Sequence, residues 1–150
     1  MKKILLSVGS LISVVAVLAN CGFGPGMQDY SYDVGTGYKL VRSSSHTIQI
    51  IPIGGNDLTN PKPEISPKVV EIAWDERYIL AKQVGLKRAY PWNPNNSYQV
   101  PDNSIVLYFI LDTAELELYG GYDFNSFSEK RNELGISADI VLKAVKQYGK

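Results

Sequence analysis

The sequence predicts an α+β domain, an antiparallel sheet of about five strands with one or two C-terminal helices packed against it. Three observations carry this. "VVEIAWDERYILAKQV" (69–84) sets β-branched and aromatic residues on both sides of a short polar turn at Asp75, Glu76 and Arg77, a hairpin signature. "IVLYFILDTAELELYG" (105–120) repeats the pattern around "DTAE". Beyond it the period changes: Ser126 with Glu129 three residues later forms a capping-box pattern, and Gly135 stands where a glycine ends a helix.

The chain opens on a segment that is not fold. Lys2 and Lys3 precede an uncharged, mostly apolar run from Ile4 to Ala19, the order of a secretory signal. That run is shorter than the roughly 20 residues a membrane-spanning helix needs, and no basic stop-transfer cluster follows. Cys21, the chain's one cysteine, comes directly after "LAN". This arrangement resembles the lipobox of bacterial lipoproteins, although Asn20 departs from the usual Gly, Ala or Ser. The resemblance implies cleavage before Cys21 and a diacylglyceryl group on its thiol. A lone cysteine on an exported chain cannot form an internal disulfide, and acylation removes the liability of a free thiol. More than one acyl chain gives stable attachment. The expectation is an exported protein, lipid-anchored on the outer side of the cell membrane.

Residues 1–20 are thus a signal peptide, and "GFGPGMQDYSYDVGTG" brings 21–37 into a Gly-rich tether. Residues 38–150 form the single small domain. In "YKLVRSSSHTIQIIPI" (38–53) Ile48 and Ile50 share a face with His46, and Pro52 points to an edge position or a strand end. A proline-rich loop follows at 54–67. After the first hairpin comes "GLKRAYPWNPNNSYQVPDNS" (85–104), read as one long loop. "IVLYFIL" (105–111) is continuously apolar, as for a strand buried on both faces. At 137–148 two readings compete. Ile140, Val141, Ala144, Val145 and Tyr148 share a helical face, while "IVL" alone suits an edge strand; helix is the expectation.

Charge excludes some partners. Lysine and arginine number 15, as do aspartate and glutamate, and the leader takes Lys2 and Lys3 with it. The remaining basic residues are scattered, so neither nucleic acid nor a polybasic membrane contact is expected. The ordered segments "GYKLVRSSSHTIQIIP", "VVEIAWDERYILAKQ", "YPWNPNNSYQVPD" and "YFILDTAELELYGGYDFNSFSEKRNELGI" resemble the domain of unknown function 3997 family of bacterial lipoproteins. The resemblance covers about 38–136 and implies a small lipid-anchored domain. It brings no activity and no catalytic residues.

Searching for chemistry yields little. His46 is the single histidine; Ser43 to Ser45 and Asp57 flank it, but there is no G-x-S-x-G. Zinc needs several His or Cys ligands, calcium a defined loop of six or more oxygens, for which Asp29 and Asp33 do not suffice. Neither a metal nor a cofactor is expected. Glu71, Asp75, Glu76 and Asp112 form a glycosidase pair only if folding joins two of them. The long loop exceeds this bland inventory, because it sets Tyr90, Trp92 and Tyr98 among prolines and Asn93, Asn95 and Asn96. Long loops in compact domains are often functional. Either these rings bind a ligand with amide help, or they fold back over the sheet. Three functions stay open: a non-catalytic envelope module binding a protein, peptide or glycan; a small envelope hydrolase; or an inhibitor or immunity-type lipoprotein with one dedicated partner.

Overall fold

A computed structural model describes residues 29–149. The leader and Cys21 lie outside these residues. Among the described residues no helix is long and apolar enough to cross a membrane. The fold is mostly β. Strands β1 (Tyr30–Gly35), β2 (Tyr38–Arg42) and β3 (Ile48–Pro52) form a three-stranded antiparallel meander. Then come β4 (Val69–Trp74), β5 (Tyr78–Arg88), β6 (Gln99–Asp112) and β7 (Glu117–Tyr122), helix α1 (Phe124–Glu133), the two-residue β8 (Lys143–Ala144) and a 3-10 turn (Val145–Tyr148). The larger antiparallel sheet has the order β7-β6-β5-β4-β8.

Both hairpins and the C-terminal-region helix stand where the sequence puts them. The lead strand does not join their sheet. Residues 38–53 split into β2 and β3 because Ser44 Oγ accepts from the backbone N–H groups of His46 and Thr47, at 3.2 and 2.9 Å, and holds a turn. Pro52 ends β3, which is an edge strand. Residues 30–37, expected to belong to the tether, are part of the sheet. Tyr30–Gly35 pair with β2, and Gly35, Thr36 and Gly37 (φ 76°, 58° and 80°) make the turn between them. Glycines that read as flexibility serve a left-handed turn.

Side-chain alternation builds two cores. On one face of the large sheet, Ile72, Ile79, Ala81 and Leu111 meet Val34, Tyr38, Leu40, Ile48 and Ile50 of the small sheet, with Ile65 between. On the other, Ala73, Tyr78, Leu80 and Ile110 meet Phe127 of α1 and Ile136 beyond it. The strand covered on both faces is therefore β5, buried without a break from Tyr78 to Ala81. That corrects the expectation for 105–111, where only Ile110 and Leu111 are buried, while Tyr108 and Phe109 lie at the borders of the two cores. Trp74 and Phe109 border the first core and are partly exposed.

The C-terminal part also departs from the sequence reading. The N-cap of α1 is Asp123, whose Oδ1 accepts from the Ser126 backbone N–H at 2.8 Å, so Ser126 lies inside the helix. Gly135 follows the helix at φ 68°, as expected. Residues 137–148 do not form the expected α-helix, and only Val145–Tyr148 coil, as a 3-10 turn. The Arg131 guanidinium donates to the carbonyls of Ser137 and Ile140, and Lys143–Ala144 pair with the free edge of β4.

The 85–104 loop is likewise smaller. Pairing resumes from Gly85↔Asp102 to Arg88↔Gln99, leaving 89–98 as the true loop. Residues 103–105 bulge out between two registers and hide the strand pattern from a sequence reading. Gly85 permits this, since a Cβ there would lie 2.8 Å from Ile105 Cβ.

Candidate functional site

The loop caps the long arm made by β5 and β6, and its own backbone folds it. Ala89 N–H donates to Tyr98 O at 2.9 Å and closes the base. Two consecutive turns follow, Asn93 N–H to Tyr90 O and Asn96 N–H to Asn93 O, each at 3.1 Å. Asn93 Oδ1 accepts from the Asn95 N–H at 3.1 Å, and Asn96 Oδ1 from the Tyr98 N–H at 2.9 Å. Two of the three asparagine oxygens assigned to a ligand thus hold the loop, and the side-chain NH₂ groups remain as donors.

This scaffold keeps the rings outside. Tyr90 is 44% exposed, Trp92 76% and Tyr98 53%, so they do not cover the sheet. Tyr90 and Trp92 stand edge to face, centroids 5.6 Å apart at 84°. Tyr98 turns the other way. Its hydroxyl lies 3.2 Å from His46 Nε2, joining the loop to the turn before β3. Between them is a cleft of about 270 Å³ lined by His46, Thr47, Pro67, Leu86, Tyr98 and Gln99, among others. His46 Nδ1 is buried there without a hydrogen-bond partner among the described residues.

The Ser-His-Asp arrangement considered from sequence does not assemble, and two of the four candidate carboxylates are held in ion pairs. Ser44 Oγ donates to Thr47 Oγ1 besides receiving its two backbone bonds, so it belongs to the turn. Asp57 Oδ1 accepts from Thr59, and the His46 ring meets Tyr98 instead of a carboxylate. Glu71 is paired with Lys82, and Asp112 with Arg77. The hydrogen bond from Arg77 holds the Asp112 carboxyl below its ordinary range, opposite to the shift a glycosidase acid needs. Among the described residues no three His, Cys, Asp or Glu side chains converge to hold a metal ion.

A second aromatic group escaped the sequence reading. Tyr32 of β1, Trp74 of β4 and Tyr148 of the closing turn form a mutual cluster. Tyr32–Trp74, Tyr32–Tyr148 and Trp74–Tyr148 centroids are 5.9, 4.9 and 5.4 Å apart. More than forty positions separate each from the next, and no local pattern signals the meeting. Trp74 borders two clefts, of about 250 and 610 Å³.

Comparison with known proteins gives one match. The family described as "Protein of unknown function (DUF3997)" matches residues 35–146. No curated protein and no solved structure matches the chain.

Proposed function

We propose that this chain, which belongs to the DUF3997 family, is an exported, lipid-anchored and non-catalytic module that binds envelope material through the aromatic loop 89–98. The observation that carries the reading is the 76% exposure of Trp92 on a loop whose backbone is already bonded to itself. A large ring in water gains from burial against a ligand, about 25 cal/mol for each Å² of apolar surface covered. Pro91, Pro94 and the asparagine turns have already restricted the backbone, so binding spends little ordering entropy. Two rings at a right angle suit a sugar or peptide that presents both a face and an edge.

The anchor rests on the leader and on Cys21, with the segment before β1 as the tether. Cys21 fixes the module at the membrane surface. The loop stands at the far end of an arm, where a ligand of the envelope can reach it. Of the ligand classes open from sequence, an envelope peptide or glycan fits this one right-angled ring pair better than a flat protein interface does. Replacing Trp92 by a photo-crosslinking aromatic residue in the full-length anchored chain tests the reading. Crosslinks to a defined envelope peptide or glycan support it. A labelled protein that crosslinks only to itself or to solvent, with envelopes present, overturns it.

A further inference from the structure

The wider of the two clefts beside Trp74 has a composition of its own. Tyr32 and Trp74 supply two aromatic walls inclined at 58°, with centroids 5.9 Å apart. Tyr148 packs against both rings and fixes the corner from outside that cleft. Asp33, Asp75 and Glu76 are among its lining residues, which include no lysine or arginine. Backbone turns hold two of these carboxylates. Asp33 Oδ1 accepts from the Gly35 N–H at 2.7 Å, and Asp75 Oδ1 from the N–H groups of Arg77 and Tyr78 at 2.8 and 2.6 Å. The nearest arginine in sequence, Arg77, is spent on Asp112.

We infer that this corner binds a compact organic cation, a quaternary ammonium or protonated amine carried by a small soluble molecule. The electron-rich faces of tryptophan and tyrosine attract such a cation, and flanking aromatics are the usual means of recognising one. The carboxylates add a second attraction of the same sign and disfavour any anion. A hard metal ion fits poorly, because it wants six or more oxygens and two walls offer none. A neutral apolar ligand gains from the rings but not from the three charges. The corner and the loop 89–98 lie at opposite ends of β5, which at about 3.3 Å per residue makes them separate sites. The inference therefore stands or falls independently of the loop.

The test uses the Trp92→Phe chain, in which Trp74 is the sole tryptophan. Trp74 emission is followed during titration with choline and, in parallel, with 3,3-dimethyl-1-butanol, its neutral carbon counterpart. A saturable response to choline is expected, with the neutral compound at least about tenfold weaker. Tyr32→Ala should abolish the response. Glu76→Gln, a substitution in the exposed turn, should weaken choline several-fold and leave the melting curve unchanged. No saturable response, or equal response to the neutral compound, overturns the inference. So does a response confined to phosphatidylcholine vesicles, which would make the ligand a lipid surface, or an undiminished response in Glu76→Gln.

Discussion

Arg77 grips Asp112 with two nitrogens, Nε at 3.1 Å from both carboxylate oxygens and Nη2 at 2.6 Å from Oδ2. The same carboxylate accepts from the N–H groups of Ala114 and Glu115, at 3.0 and 3.1 Å. One buried side chain thus ties the β4–β5 turn to the β6–β7 turn, and fixes how the two hairpins register.

That pairing makes the fold acid-sensitive. Arg77 holds the Asp112 carboxyl below its ordinary value, so its contribution is fully present above the unfolded pKa of about 3.9 and is lost as pH falls through the folded value. Asp112→Asn should cost about 1–2 kcal/mol at neutral pH and flatten the loss of stability below pH 4. Arg77 is half exposed, so its attraction is partly screened by solvent. Melting curves from pH 7 to pH 2.5 decide it; identical slopes in both proteins would remove Asp112 as the cause.

Gly120 lies under the ring of Phe109, its partner in the β6–β7 register. A Cβ there would sit 2.0 Å from Phe109 Cδ1. Gly120→Ala should therefore destabilise by about 1–3 kcal/mol, as overpacking does, and Phe109→Leu in the same chain should recover part of the loss. Strict additivity in the double-mutant cycle would deny the contact.

The hairpins were legible because their information is local. β-branched residues, a polar turn and alternation all lie within 16 residues of one another at 69–84. What escaped depends on distant partners. Strand β1 carries one buried side chain, Val34, in a glycine-rich, polar stretch, and only β2 beside it makes it a strand. β8 exists because β4 has an open edge. The arm of β5 and β6 was hidden by the 103–105 bulge. The same division holds for the site. Prolines and asparagines around Tyr90, Trp92 and Tyr98 announce an unusual loop, whereas the His46–Tyr98 contact spans 52 positions and leaves no local trace.

Cys21 should carry the membrane anchor. Labelled fatty acid fed to expressing cells is expected in the wild type and absent from Cys21→Ala, which should also keep its leader. Equal labelling of the two proteins would end the lipid-anchor reading.

The two tryptophans should differ in access to solvent. Trp74 leans on Tyr32 and Tyr148, while Trp92 is largely exposed. Acrylamide should quench Trp92 in a Trp74→Phe chain several times more steeply than Trp74 in a Trp92→Phe chain. Comparable quenching would mean that Trp92 folds back onto the sheet.

The central claim is that the loop aromatics bind rather than pack. Co-sedimentation of the full-length chain with isolated cell envelopes, run beside its Tyr90→Ala/Trp92→Ala form lacking both rings, tests it most directly. A lipid on Cys21 would hold either protein to membrane, so envelopes are first stripped of membrane by detergent to leave the wall and its attached peptides. Stability should stay within about 0.5 kcal/mol of wild type for each exposed ring removed, while retention on the wall falls at least tenfold. Equal retention of the two chains, or loss of retention that tracks a collapsed melting midpoint, would contradict the account.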